Sequence, residues 1–211
     1  HRSVGLYEVA FCGDLPKTAV LLPRIEATAA LQTTLKALAK TQYPSWEILT
    51  DFDGAGSLPT PSPIRHTLVD ANLDGAARWQ TMARQSDAPF LIILAPNVLP
   101  ASEDWLRRMV EQAMLTGANV VGGQSRRKGR IAENGLVLDG AGDAPQPRLK
   151  GSRTSTAGPC FSAQATHESL APSSCAILVK RDHLLGLDAA QLRVRSSLPE
   201  VAAALTKDRP G

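Results

Sequence analysis

The feature that most constrains the fold is a short, unbroken apolar run, FLIIL at residues 90–94, with Pro89 before it and Pro96 shortly after. Five residues suit a strand better than a helix, and the lack of alternation predicts that both faces of this strand are covered. No apolar run in the sequence approaches the roughly 18 residues of a membrane-spanning helix. We therefore predict an α/β fold built around a central strand at Phe90–Leu94.

Composition narrows the class of protein. The chain has 211 residues, 43% of them hydrophobic and 20% charged, as in ordinary globular domains. A net charge of +3 and an aromatic content of 4% argue against a nucleic-acid-binding protein. Three cysteines (Cys12, Cys160 and Cys175) form no CxxC motif, which argues against a disulfide framework and for a reducing compartment. We expect a cytoplasmic protein, either free or peripheral to the inner face of the membrane.

Short apolar segments alternate with helical periods along the chain, which is typical of βαβ units with helices on both faces of a mostly parallel sheet. Further strands are predicted at residues 18–22, 46–51, 64–69, 119–122, 131–138 and 176–179. Helices are predicted at residues 31–39, 74–85 and 103–115. Residues 53–63 are rich in Gly, Pro and Ser and predict a loop, and residues 140–158 lack periodicity and predict a long mobile loop.

The helix at residues 103–115 has the strongest pattern. Ser102 occupies the expected N-cap position, and Gly117 is placed to end the helix. The spacing predicts a buried stripe formed by Leu106, Met109, Val110 and Ala113.

The ends of the sequence suggest a piece of a longer protein. The chain begins with His1 and stops soon after Lys207. We expect residues 1–17 to be an extension or tag remnant and residues 18–211 to form one domain, with further domains in the parent protein.

Five segments resemble, in order, those of family 2 glycosyltransferases with a GT-A fold. They are residues 18–56, 75–113, 120–140, 173–192 and 198–211. The first carries Gln42-Tyr43-Pro44, Glu47-Ile48 and Asp53-Gly54, similar to the family's turn, strand and acidic strand end. The resemblance covers most of the chain and implies a nucleotide-diphospho-sugar-transferase fold, Rossmann-like with a mixed, mostly parallel sheet.

The resemblance also implies chemistry. A GT-A transferase binds a nucleotide-diphospho-sugar, with Mg²⁺ or Mn²⁺ held by an Asp-x-Asp motif, and moves the sugar to a glycan acceptor. By this resemblance Pro23, Asp53, Arg78 and Asn97 would contact the donor, and Asn97 would be a weak metal ligand. Glu200 would be the general base of an inverting displacement.

The sequence departs from the family pattern at several of these positions. The Asp-x-Asp motif reads Ala95-Pro96-Asn97, the acidic pair is Phe52-Asp53, and the catalytic pair is Pro199-Glu200. A neutral amide binds a hard dication less strongly than a carboxylate does. Two hypotheses follow: an active transferase, or a catalytically degenerate GT-A domain that acts as a binding or scaffolding module. A generic nucleotide-binding α/β domain is a third.

Four of the five predicted site residues also have a simpler interpretation. Asp53 fits an Asx turn, Arg78 a solvated helix charge, Asn97 a turn and Glu200 the first turn of a helix. The run QSRRKGR at residues 124–130 fits a solvated hairpin loop, or an electropositive lip for a diphosphate or an anionic acceptor.

Overall fold

A computed structural model describes residues 11–22, 28–51, 64–66, 69, 73, 75–96, 98–138, 145–158, 163 and 165–187. The strands are β1 (Thr18–Leu22), β2 (Trp46–Thr50), β3 (Ile64–His66), β4 (Phe90–Leu94), β5 (Val120–Gly122), β6 (Ser125–Arg127), β7 (Arg130–Glu133), β8 (Leu136–Leu138), β9 (Pro145–Pro147) and β10 (Ala176–Lys180). The helices are α1 (Thr28–Leu38), α2 (Gly75–Ala83), α3 (Trp105–Thr116) and α4 (Arg181–Gly186). No helix in these ranges is long and apolar enough to cross a membrane.

Six strands form one sheet in the order β3-β2-β1-β4-β10-β5. The pairs β3–β2, β2–β1 and β1–β4 are parallel, and β10 is antiparallel to both of its neighbours. The expected mixed, mostly parallel sheet is confirmed, and so is the interior position of β4.

Both faces of the central strands are buried, as the unbroken apolar run predicts. Ile92 and Leu94 belong to a core formed with α1 and α3, whereas Leu91 and Ile93 belong to a core formed with α2 and α4. All four side chains are at most 1% exposed. The helices therefore cover the sheet on two sides, as expected for a parallel sheet.

Helix α3 buries the predicted stripe (Leu106, Met109, Val110 and Ala113) and ends at Gly117, which has φ of 70°. Its predicted start is wrong, because the helix begins at Trp105 and Asp104, not Ser102, is its N-cap. Residue 103 is held by the turn before β2: Gln42 donates its backbone N–H to the Glu103 carbonyl (2.8 Å) and its amide to the Glu103 carboxylate (2.6 Å). Hydrogen bonds from Ser102 and then Arg108 lower the pKa of Asp104.

The predicted strand at residues 131–138 is two strands, β7 and β8, which belong to different two-stranded sheets. The chain turns between them at Gly135, where φ is 75° and a Cβ would lie 2.7 Å from Ser169 Oγ. Only glycine adopts this conformation without strain. β8 pairs with β9, so part of the predicted loop at 140–158 is a strand.

Smaller corrections concern element ends. β2 ends at Thr50, β3 ends at His66 and α2 ends at Ala83, each before the predicted end. Residues 53–63 lie outside the described part of the chain, so the loop predicted there stays a prediction.

Leu106→Ala should lower the free energy of unfolding by about 2–5 kcal/mol, because it leaves a cavity in the core under α3. Urea unfolding followed by circular dichroism measures the loss. Leu115, on the same helix and 43% exposed, is the matched control. Its replacement by Ala should cost about 0.5 kcal/mol or less. A similar small loss for Leu106→Ala would contradict the packing of α3.

Candidate functional site

The candidate site lies at the edge of the sheet where β1, β2 and β4 end. These strands are parallel, so their carboxyl ends share one edge. The direction in which the chain moves through the sheet reverses between β1 and β4. After β1 the chain continues to β2 on one side, and after β4 it continues to β5 on the other side. Open α/β sheets bind ligands in the crevice at such a reversal. The topology therefore places a candidate binding crevice between the ends of β1 and β4.

Three of the four sequence-predicted donor residues come after strands that end at this edge. Pro23 directly follows β1 in the chain, Asp53 comes shortly after β2, and Asn97 shortly after β4. These three residues and Glu200 lie outside the described part of the chain. Arg78, in α2, is the predicted site residue that the structure describes.

Arg78 is held by contacts on two sides. Its Nη1 donates to Asp51 Oδ2 at 2.7 Å, and its Nε donates to the Leu73 carbonyl at 3.0 Å. The Arg78 side chain is 14% exposed. The interpretation as a solvated helix charge is therefore wrong, whereas the predicted contact of Arg78 with a diphosphate stays a prediction. The ion pair joins α2 to the end of β2, and the second hydrogen bond joins Leu73 to α2.

Asp51 was not among the predicted site residues. It is the first residue after β2, and its side chain is 7% exposed. Its Oδ1 is buried and has no hydrogen-bond partner within the part of the chain that the structure describes. Buried carboxylate oxygens are normally paired, because an unpaired one loses its solvation without compensation. Among the described residues, Asp51 therefore has an acceptor atom without a donor at this edge. The available sequence signal was its position, directly after a strand of a parallel sheet.

On the other side of β4, Glu133 holds the segment that leads into β10. Its Oε2 accepts hydrogen bonds from Ser173 Oγ (2.9 Å), Ser174 N (2.9 Å) and Ser174 Oγ (3.0 Å). The neighbouring Cys175 carbonyl accepts from Ala95 N at 2.9 Å. These bonds fix the two chain segments beside the crevice. Sequence reasoning missed Glu133, since its partners are about 40 residues away.

Cys175 lies in the same region but is not activated. Burial raises the pKa of its thiol, and Ser173 Oγ and the Gly123 carbonyl lie 2.8 and 3.4 Å from its sulfur. A protonated buried thiol is a poor nucleophile. Cys175 is thus a small buried side chain that packs like a hydrophobe, and Cys160 lies outside the described residues.

The described residues offer little to a metal ion. Ala95 has only a methyl group where the resemblance would put an aspartate, and Asp51 is paired with Arg78. Among the described side chains, no group of three or more His, Cys, Asp or Glu is placed to bind a metal. These residues do not fit a divalent cation.

The Gln42-Tyr43-Pro44 motif lies at the opposite edge of the sheet, before β2. The Tyr43 hydroxyl donates to the Pro16 carbonyl at 2.6 Å, which ties the turn to the segment before β1. A shallow depression bordered by Leu15, Tyr43 and Arg107 is found there. The motif is therefore structural in this chain and does not contribute to the crevice.

Comparison with known proteins gives matches among solved structures. The chain is similar to the mannosyltransferase PcManGT from Pyrobaculum calidifontis, in complex with GDP-Man and Mn²⁺ (16% identity, TM-score 0.43, over 53% of this chain and 36% of that one). It is similar to S. aureus TarS 1–349 in complex with UDP-GlcNAc (12%, TM-score 0.45, over 80% and 46%). It is also similar to a CMP:2-keto-3-deoxy-manno-octonic acid synthetase complexed with CTP (17%, TM-score 0.45, over 90% and 83%).

These likenesses concern the fold. The chain spans less than half the length of the first two proteins that it matches. No protein-family model and no curated protein sequence matches the chain.

Arg78→Met should lower the free energy of unfolding by about 3–5 kcal/mol, because it leaves the buried Asp51 carboxylate without its partner. Adding Asp51→Asn should recover part of this loss, since the charge that needs the partner is removed. Urea unfolding of the single and double variants tests this. Arg108→Met, which breaks an exposed pair with Asp104, should have a far smaller effect. Equal effects at the two arginines would contradict a buried pair.

In a Cys160→Ser background, Cys12 should react with a thiol reagent in the native protein and Cys175 only after unfolding. Cys12 is exposed and Cys175 is buried, and burial raises the pKa of the Cys175 thiol. Titration with a chromogenic disulfide, with and without denaturant, counts the reactive thiols. Two fast-reacting thiols in the native protein would show that Cys175 is accessible.

Proposed function

We propose that the chain is a family 2 glycosyltransferase-like domain. It binds a nucleotide-diphospho-sugar in the crevice between β1 and β4 and transfers the sugar to a glycan acceptor with inversion. The main support is the coincidence of two independent observations. Three of the four residues that resemble donor-binding positions follow, in the chain, strands whose carboxyl ends share one edge. This edge contains the reversal of chain order at which α/β sheets bind ligands.

The proposed roles follow from the chemistry of the side chains. Asp53 accepts hydrogen bonds from the nucleobase, and Asn97 offers an amide to the donor. Arg78 compensates the charge of Asp51 and positions the start of α2 beside the diphosphate. Glu200 takes the proton of the acceptor hydroxyl while that oxygen bonds to the anomeric carbon and the nucleoside diphosphate departs.

A degenerate domain that binds or scaffolds without transfer is the second candidate. Ala95 favours it, because this residue has no side-chain ligand and its backbone N–H is already bonded to Cys175 O. Arg78 favours it as well, since two of its donors are used within the protein. Folds persist through packing after their sites have changed.

Isothermal titration calorimetry with UDP, GDP and dTDP, each with and without Mn²⁺, tests the proposal. We expect micromolar binding of one nucleotide, abolished by Asp53→Ala. Asp14→Ala removes an exposed carboxylate elsewhere and should leave binding unchanged. If none of the three nucleotides binds, the transferase proposal is overturned and the scaffold is favoured. Metal-dependent binding would favour an enzyme.

Ala95→Asp together with Asn97→Asp should raise Mn²⁺ affinity, because two carboxylates supply the charge that a hard cation requires. If the second candidate, the degenerate domain, is right, the unmodified chain should show negligible sugar transfer. Ala95→Asn, with Asn97 retained, is the control of similar size without charge and should not raise the affinity. Manganese binding is measured by electron paramagnetic resonance. Robust transfer without mutation would show that the altered motif is functional variation.

A further inference from the structure

The run of cations at residues 126–130 forms a tight hairpin, as one of its two interpretations predicts. β6 and β7 pair antiparallel, and Lys128 and Gly129 form the turn with φ of 50° and 72°. Two successive residues with positive φ are typical of the turns that match the twist of a two-stranded hairpin. The hairpin is thus a regular element that presents its side chains in fixed order.

A second basic segment runs beside this hairpin. Ile131 N donates to Ser152 O at 2.9 Å, and Gly151 N donates to Ile131 O at 2.8 Å. Arg130 also reaches this segment, since its Nη1 donates to the Gly151 carbonyl at 2.6 Å. Lys150 and Arg153 are therefore placed next to the hairpin, and both are exposed.

Six exposed cations meet here, and we call them the basic patch. They are Arg126, Arg127, Lys128, Arg130, Lys150 and Arg153. The patch carries six positive charges in a chain whose net charge is +3, so the rest of the chain is net negative. In the part of the chain that the structure describes, no carboxylate is paired with a member of the patch.

This arrangement is unfavourable for the isolated hairpin. Arg127 and Arg130 face each other across the two strands, and like charges in directly opposed positions destabilise a hairpin. The nearby carboxylate of Glu133 accepts its bonds from Ser173 and Ser174. An anionic ligand would relieve the repulsion between these cations. A hairpin exposed only to solvent gains no stability from four cations at its tip.

The hairpin that carries the basic patch begins at the same edge of the sheet as the candidate crevice. β5 is antiparallel to β10, which is antiparallel to β4, so β5 and β4 end at the same edge. β6 begins three residues after β5 ends. Gly123, between them, donates its N–H to Ala176 O at 2.9 Å and stays joined to the sheet.

We propose that the basic patch binds a glycan chain that carries repeated negative charges, and that this chain is the acceptor presented to the crevice. The role as acceptor rests on the proposed function, whereas the binding itself does not. Four of the six cations are arginines, whose planar guanidinium groups match the oxygens of carboxylates and phosphodiesters. A flexible anionic chain can follow the hairpin and the segment beside it.

The surroundings favour a glycan over two other polyanions. Residues 123–158 contain no aromatic side chain on which a nucleic-acid base would stack. The large exposed hydrophobic residues of the described chain, Leu99, Met114, Leu115 and Leu170, lie outside the patch. The patch thus has no apolar side chain to insert into a lipid surface.

Binding is measured by biolayer interferometry without any nucleotide, using alginate, phosphorylated dextran and unmodified dextran. We expect one or both anionic glycans to bind and the neutral dextran not to bind. Alginate supplies carboxylates and phosphorylated dextran supplies phosphates, so the two arms identify the preferred group. Binding should weaken as salt is raised to about 0.3 M, because the contacts are between exposed charges.

The triple variant Arg127→Gln, Lys150→Gln, Arg153→Gln tests the patch. These side chains make no contacts that support the described fold, and circular dichroism checks that the fold is retained. Anionic-glycan affinity should fall by about tenfold or more. The matched control, Lys36→Gln, Lys40→Gln, Arg84→Gln, removes three exposed charges from elsewhere and should change the affinity by less than about twofold.

Several outcomes would overturn the proposal: no binding of either anionic glycan, equal losses in the two triple variants, or tighter binding of duplex DNA or of phosphatidylglycerol vesicles. The nucleotide titrations separate it from the proposed function. Patch-dependent glycan binding without nucleotide binding would remove the transferase role and leave the glycan-binding surface. Nucleotide binding with no effect of the patch variant on glycan affinity would overturn the glycan-binding surface and leave the proposed function intact.

Discussion

The burial of β1 and β4 on both faces is the constraint on which the rest of the structure depends. Side chains alternate between two cores along each strand, and Val20 and Leu21 in β1 are as fully buried as Ile92 and Ile93 in β4. Such strands need a helix layer on either side, which α1 with α3 and α2 with α4 provide. Layers of this kind require crossover connections, and crossovers make neighbouring strands parallel. Parallel strands end at a common edge, and the candidate crevice is a consequence of that arrangement.

A small number of buried polar contacts hold the segments around this frame. Arg78 joins α2 to the end of β2 through Asp51. Gln80 donates its amide to the carbonyls of Leu184 and Leu187, both at 2.9 Å, and thereby joins α2 to α4. Such groups contribute modestly to stability when paired, but they are costly when a partner is lost. They fix the relative positions of these elements, because apolar packing alone is not directional. The side chains at the edge of the sheet are thereby presented in a defined arrangement.

Much of the fold was predictable because its signals are local. β1 and β4 have the predicted ends, and the buried stripe of α3 and its end at Gly117 agree with the helical period. The start of α3 was not predictable, since Glu103 is engaged by Gln42 from a turn 61 residues earlier in the chain. The break at Gly135 was missed for a similar reason. An apolar stretch gives no sign of the Ser169 side chain that occupies the space beside this glycine.

The sequence by itself determined the fold class, the central strand and the likeness to GT-A transferases, because apolar periodicity and the order of motifs are properties of neighbouring residues. It also places Ala95-Pro96-Asn97 where the resemblance would put an Asp-x-Asp motif. Only the tertiary structure decided that Arg78 pairs with the buried Asp51, that Glu133 holds the segment before β10, and that Lys150 and Arg153 join the basic hairpin. Each of these contacts links residues that are far apart in the chain. Their proximity is set by strand order and packing, which no local pattern encodes.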